Sequence, residues 1–306
     1  MALPEIVANY IVVTPVKNEE KYITRTLQSM SVQTVRPVRW VLVDDGSTDG
    51  TPGLINEFVG TFDWISCIRI EREAERQLGS AEVKAFEVGY KSVQHLDHEF
   101  VVKLDADLSL SSDYFEQMLV RFHANPSLGI ASGLYLEEHD GKWRPAHLPS
   151  YHAAGAAKML RLPCYQAIGG FQSLPGWDTV DEVRAWMNGW QTTHFPEIQF
   201  HHLKAEGSAS GTLHTSYFHG QIYYVCGGSA LFFCGKVLHR TLTGKPFFLG
   251  GIMLLAGYMQ SMLIRRPKIV TLQEEEFYTR LLNRRIFHNI IPKLSLHVDT
   301  KKQANN

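Results

Sequence analysis

Residues 100–107 read Phe-Val-Val-Lys-Leu-Asp-Ala-Asp, a short apolar run that ends in two carboxylates one residue apart. An apolar run of this length is a buried strand, and strands covered on both faces in a parallel sheet have this composition. Three similar runs precede it, at Tyr10–Thr14, Trp40–Val43 and Trp64–Ile70. Helical stretches separate them. Ile23, Leu27 and Met30 recur at helical spacing after Asn18, a good N-cap. A short helix follows near Leu54–Phe58, and residues 80–94 put Val83, Phe86 and Tyr90 on one face. Strands alternating with helices predict a doubly wound, parallel α/β sheet. Ligands bind such sheets at the carboxyl ends of the strands. Asp44-Asp45-Gly46-Ser47 follows the second strand and Asp105-Ala106-Asp107 the fourth, so both acidic clusters fall at that edge.

The rest of the chain sets the bounds. It has 306 residues, with 30 Lys+Arg against 31 Asp+Glu, enough for about two domains and without the global basic field of a bulk nucleic-acid binder. A hydrophobic content of 44% argues against disorder. Cys67, Cys164, Cys226 and Cys234 form no CxxC pair, which fits a reducing compartment better than a disulfide framework or zinc ribbon. The first residues lack the basic n-region of a signal peptide. Residues 136–220 are less regular and rich in aromatics, Gly and His, with a return strand and Gly169-Gly170-Phe171 within 153–172. Ser112 can cap the helix after the fourth strand. The expected organisation is an α/β domain over 1–220, halved at about 135, and a helical region over 221–306.

Two carboxylates at a strand end can hold a hard divalent ion and leave positions for phosphate oxygens. The bland alternative for Asp105 and Asp107 is a solvated turn. Asp44 or Asp45 could accept a hydrogen bond from a base N–H or from ribose hydroxyls; the alternative is turn chemistry. Further on, Asp178, Asp181 and Glu182 fall at i, i+3 and i+4, on one face of a helix over 178–189. One of them could take a proton from an attacking hydroxyl, whereas Asp178 could instead be an N-cap.

Thr14-Pro15-Val16-Lys17-Asn18-Glu19, then Val43–Asp49 (VDDGSTD), then Asp105-Ala106-Asp107 resembles the family-2 glycosyltransferases of GT-A fold: P-x-x-N-E, V-D-D-G-S-x-D and D-x-D in this order. Arg76-x-x-Gly79 resembles their Arg/Gly-rich helix start loosely. The resemblance implies a GT-A fold, a Rossmann-like, mostly parallel mixed sheet, and a nucleoside-diphosphate sugar donor, usually a UDP-sugar. It implies that Thr14, Pro15, Asn18 and Glu19 line the base and ribose pocket. It implies that Asp45, with Asp44, reads the base, that Arg76 approaches the nucleotide or diphosphate, and that Asp105 contacts ribose or donor sugar. It places Mg²⁺ or Mn²⁺ on Asp107. The family's base motif is E-D; here Gly176–Glu182 reads GWDTVDE, so Asp181, then Asp178, then Glu182 are the candidates. The family's H-x-R-x-x-G-S stretch is matched by His202-Leu203-Lys204-Ala205-Glu206-Gly207-Ser208, with His202 a metal or phosphate ligand and Lys204 in place of Arg. The Q-x-x-R-W motif of processive members is absent, which implies addition of a single sugar. A nucleotidyltransferase would want a Gly-rich loop where PVKNEE stands, and a non-catalytic nucleotide-sugar-binding or membrane scaffold would have less use for Asp107 and Asp181.

The C-terminal region has its own character. Pro246–Ile264 holds 19 uncharged residues, about 28 Å as a helix, at the threshold for a membrane span. Lys236, Arg240 and Lys245 precede it, and Arg265, Arg266 and Lys268 follow it. A single span would put one basic flank outside, against the positive-inside bias. Helices lying in the interface keep every cation on the cytoplasmic side, so the region 221–290 is expected to contact the membrane peripherally or monotopically. A transmembrane segment, a buried core helix and a dimer interface are the alternatives. A membrane-docked enzyme on the cytoplasmic side of the plasma membrane would suit a polyprenyl-linked saccharide acceptor in cell-surface polysaccharide synthesis.

Overall fold

The computed structural model describes residues 9–71, 81–204, 211–243 and 247–286. The chain divides into two compact units at Glu206/Gly207. This boundary lies ahead of the expected 220, because one continuous helix, α7 (Thr212–Val225), runs through that position.

Among the described residues the first unit forms a nine-stranded sheet. Its parallel half, in the order β3-β2-β1-β4, is built from β1 (Tyr10–Val16), β2 (Arg39–Asp44), β3 (Ile65–Arg69) and β4 (Phe100–Leu104). β8 (Ala157–Arg161) returns antiparallel beside β4, and β6 (Leu128–His139) is antiparallel to β8. β9 (Gln191–His202) runs parallel to β6, β5 (Leu108–Leu110) closes antiparallel on β9, and β7 (Lys142–Pro145) makes a hairpin on β6. Two successive reversals leave β6 and β9 pointing the same way as β4. The carboxyl ends of β1, β2, β4, β6 and β9 therefore share one edge of the sheet.

Helices cover both faces, which is why the central strands are apolar throughout. Alternate residues of β1 enter different cores. Tyr10 and Val12 pack with side chains of α1 (Ile23–Ser31), α2 (Thr51–Val59) and α4 (Tyr114–Ala124). Ile11 and Val13 pack with α3 (Ala81–Val93), α5 (Leu162–Ala167) and Trp177 of α6 (Trp177–Met187). α3 sits directly on the sheet at Gly89, where a Cβ would lie 2.6 Å from both Val13 Cγ1 and Val43 Cγ2.

Two expected caps are corrected. Asn18 adopts φ 55° and does not cap α1, which starts at Ile23; its side-chain oxygen accepts from Thr48 N at 2.8 Å. α4 starts at Tyr114 behind Asp113, not behind Ser112. All four cysteines are free.

The second unit contains α7, α8 (Ala230–Thr243), α9 (Leu249–Leu263) and a helix over 272–286. Thr271 and Glu274 open the last of these with a capping box: Thr271 N donates to Glu274 Oε2 at 2.7 Å, and Glu274 N to Thr271 Oγ1 at 3.3 Å. The apolar run at 246–264 yields a helix of 15 residues, about 22 Å. No helix of the described residues is long and apolar enough to cross a membrane.

Replacing Gly89 by Val should cost about 2–3 kcal/mol of unfolding free energy in a denaturant titration, through overpacking against Val13 and Val43. An unchanged midpoint would show that α3 can lift off the sheet.

Candidate active site

β4 delivers Asp105 and Asp107 to the carboxyl edge, and the turn that carries them is clamped from two sides. Asp105 N donates to Ala156 O at 2.8 Å. On the other side Thr26 of α1 is fully buried. Its Oγ1 lies 2.7 and 2.8 Å from the carbonyls of Ala106 and Leu108 and accepts from Leu108 N at 2.9 Å. The β5–β9 register then pairs Leu108 with His202, and Leu203 N donates to Asp107 O at 2.8 Å.

This ladder brings His202 to the carboxylates. Its Nε2 is 3.5 Å from Asp107 Oδ2 and its Nδ1 is 3.6 Å from Glu137 Oε1. One ligand atom each from Asp105, Asp107 and His202 lies within 4.8 Å of the others. Burial pulls the imidazole pKa down, but the carboxylates of Asp107 and Glu137 beside it outweigh this and raise the value to about 10. The imidazole thus sits among three carboxylates, a surplus of negative charge. Oxygen ligands with one imidazole fit a divalent ion such as Mg²⁺ or Mn²⁺.

Asp105 faces a different partner. Lys103, buried in β4, donates to Asp105 Oδ1 at 2.6 Å and to Gly155 O at 3.1 Å, with Glu82 Oε2 at 3.6 Å. Its ammonium also lies 5.1 Å from the centroid of the Trp177 ring. A second buried ammonium, Lys158 of β8, lies 5.1 Å from the same ring. The indole Nε1 donates to Glu82 Oε1 at 2.9 Å.

Lys158 separates the three candidate carboxylates of α6. It reaches Asp181 at 3.0 and 3.2 Å and donates to the backbone carbonyl of Asp178 at 3.1 Å. Asp181 and Glu182 are each 2% exposed. Burial raises the Asp181 carboxyl pKa, and Lys158 opposes it. Glu182 accepts from Ala153 N at 2.8 Å and lies 3.0 Å from His152 Nδ1. Both carboxylates, including Asp181, the first candidate for the base, lie in the interior. Asp178 is partly exposed. It is not a cap either: Gly176, at φ 91°, precedes the helix and Asp178 sits in its first turn. A Cβ on Gly155 would lie 3.9 Å from Asp178 Cβ, so the residue whose carbonyl holds Lys103 borders Asp178.

The expected nucleotide residues are placed at the ends of β1 and β2. Pro15 is half-buried at the edge. Thr14 is instead fully buried, and its Oγ1 accepts from Trp40 Nε1 at 2.9 Å, so it belongs to the core. Asp44 is also structural: Oδ1 accepts from Ser47 N at 2.8 Å and Oδ2 from Arg69 Nη1 at 2.7 Å. Asp45 is buried beside it, its amide donating to Val16 O at 2.8 Å. Asn18 N donates to Ser47 Oγ at 3.0 Å and Glu19 N to Thr51 Oγ1 at 2.9 Å, which ties the first acidic loop to β1. Lys204 Nζ meets Glu19 Oε1 at 2.7 Å. Arg76 lies outside the described residues.

The family model for glycosyl transferase family 2 matches residues 11–173, more than half of the chain. The chain belongs to glycosyl transferase family 2. A curated relative, the putative glycosyltransferase EpsH of Bacillus subtilis (strain 168), is 31% identical over 104 residues, which are 34% of this chain and 27% of EpsH. This chain therefore matches about a quarter of that relative's length. Among solved structures, the mannosyltransferase PcManGT from Pyrobaculum calidifontis, in complex with GDP-Man and Mn²⁺, superposes with a TM-score of 0.53 at 16% identity, over 94% of this chain and 83% of that one. S. aureus TarS 1–349 with UDP-GlcNAc gives 0.52 at 17% identity, over 88% and 78%. At these identities the likeness is one of fold.

Family motifs do not mark Thr26, Lys103, Glu137 or Lys158. A lysine set among apolar strand residues, as in FVVKL and in AKML of AKMLR, is the signal the sequence carries for two of them.

Because His202 is protonated below about pH 10 in the free protein, a metal ion there must displace a proton. Mn²⁺ affinity by calorimetry should rise roughly tenfold per pH unit between pH 6 and 9. In His202→Ala the slope should flatten; an equal slope would remove His202 from the ligand set.

Proposed function

We propose that this family-2 glycosyltransferase moves one sugar from a nucleoside-diphosphate donor, a UDP-sugar, to an acceptor hydroxyl with inversion, using Mg²⁺ or Mn²⁺. The observation that carries this reading is that Asp105 joins the Asp107–His202 cluster to the backbone bordering Asp178: Asp105 N donates to Ala156 O, Lys103 bridges Asp105 and the Gly155 carbonyl, and a Cβ on Gly155 would lie 3.9 Å from Asp178 Cβ. Asp107 and His202 are the residues that would hold the metal, which when bound would neutralise charge developing on the diphosphate leaving group. Pro15, Asn18, Glu19 and Asp45 line the strand-end edge where the nucleoside would lie. Lys204, tied to Glu19, supplies a point charge for phosphate without the bidentate fork of arginine.

Asp178 is the general base in this reading. Its carboxylate takes the proton of the acceptor hydroxyl as that oxygen attacks the anomeric carbon and the nucleoside diphosphate departs. Lys158 and Asp181 act behind it: the ammonium holds the Asp178 carbonyl, and the buried carboxylate keeps the ammonium charged. The acceptor in this proposal is a polyprenyl-linked saccharide destined for a cell-surface polysaccharide, met on the cytoplasmic side of the plasma membrane. The apolar C-terminal helices support this choice.

Asp178→Asn should lower kcat by roughly 10²–10⁴-fold while leaving UDP-sugar affinity and thermal midpoint close to wild type. Asp107→Asn should abolish the metal-dependent part of UDP binding in calorimetry. Full turnover by Asp178→Asn would transfer the base role elsewhere. Metal-dependent UDP affinity retained in Asp107→Asn would overturn the metal site.

A further inference from the structure

The second unit carries a helix that is inside out. α9 buries its small residues and exposes its large apolar ones. Gly250, Gly251, Gly257 and Ser261 face inward with Leu254. There a Cβ on Gly257 would lie 1.9 Å from Tyr217 O, and one on Gly220 of α7 2.0 Å from Leu254 O. Such close backbone approach through small residues is how helices pack where lipid, not water, surrounds them. The outward side of α9 is a single stripe: Leu249, Ile252, Leu255, Met259 and Met262, spaced by three or four residues, are all exposed. A globular helix in water puts these residues inward. Phe247 and Phe248 extend the stripe at one end and Leu263 and Ile264 at the other, all more than half exposed.

The charge of this stretch of sequence bears on the stripe's occupant, although Lys268 is already paired with Glu275. Between Glu206 and Glu274 the chain has no acidic residue and six cations: Lys236, Arg240, Lys245, Arg265, Arg266 and Lys268. A second copy of the chain would bring cations against cations, whereas an anionic lipid surface neutralises them. The length of α9 excludes a span, since about 22 Å falls short of the roughly 30 Å hydrocarbon layer.

We propose that the outward stripe of α9, rimmed by Arg265 and Arg266, docks into one leaflet of an anionic bilayer, lying in its plane. This goes beyond the sugar-transfer reading and does not depend on it, because docking is read without turnover.

The test is cosedimentation of the full-length protein with phosphatidylcholine vesicles, with and without phosphatidylglycerol. Wild type should bind the anionic vesicles and weaken as salt rises. Ile252→Asp with Leu255→Asp should abolish binding while far-UV dichroism and donor binding stay unchanged, since both side chains are exposed. Arg265→Ala with Arg266→Ala should weaken it about 30-fold, with the apolar stripe intact. Failure of wild type to bind either vesicle overturns the proposal. So does a dimer in sedimentation velocity that the Ile252→Asp/Leu255→Asp variant splits, which would assign the stripe to a second copy.

Discussion

Two buried ammonium groups on one indole ring hold the catalytic unit's site together. Lys103 and Lys158 each lie 5.1 Å from the Trp177 centroid, and each is almost fully buried. A buried ammonium is costly unless every donor is matched. Here each cost is offset by a carboxylate and a carbonyl: Asp105 and Gly155 for Lys103, Asp181 and Asp178 for Lys158. The choice of partners explains the geometry. One lysine ties the metal-side turn to the 153–156 loop, and the other ties the first turn of α6 to β8. Neither pair is strong evidence of net stability, since an apolar substitute of equal size can do as well. What the pairs supply is register, because they are satisfied only when the β4 turn, the loop and α6 sit in this arrangement.

The sheet does the same at larger scale. The antiparallel return through β8 and β6 brings β9 back to the carboxyl edge, and there the short β5 hooks onto it. His202 therefore meets Asp107 across a ladder rather than through a loop. The first acidic loop is held in the same manner, by Asp44 accepting from both Ser47 and Arg69. Of two carboxylates adjacent in sequence, Asp44 thus fixes the loop, while Asp45 is buried beside it with its amide on Val16 O.

That division marks the limit of what the sequence makes legible. Strands β1, β2 and β4 are readable because burial on both faces makes them apolar throughout, and their acidic ends follow from strand polarity. The capping box at Thr271 is readable because its chemistry is local. β6 and β9 are not, since polar residues interrupt their apolar pattern and their sheet partners lie far along the chain. The same limit governs α6. Helical spacing puts Asp178, Asp181 and Glu182 on one face, but which carboxylate meets solvent depends on Lys158 and Ala153, residues of other elements. Thr14 is a further case: a motif position at a strand end turns its side chain inward to meet Trp40, which sequence spacing cannot reveal.

The formal charge of −1 conceals a further separation. Asp44, Asp45, Asp105 and Asp107 lie at the strand-end edge of the catalytic unit, while the only charged groups of the sequence between Glu206 and Glu274 are cations. A summed charge near zero therefore excludes a uniform field without excluding a local one. The same stretch places small residues inward and large ones outward on α9, an order that water would reverse. Two independent properties, charge sign and side-chain size, point to one surrounding. An anionic bilayer satisfies both, whereas an aqueous surface satisfies only the charge and a second copy only the apolar stripe. Confinement to a membrane also changes what acceptor binding requires. Under the proposed function, a lipid-linked acceptor in the same leaflet would be met at high effective concentration, so weak contacts would suffice to bring its hydroxyl to the proposed base, Asp178.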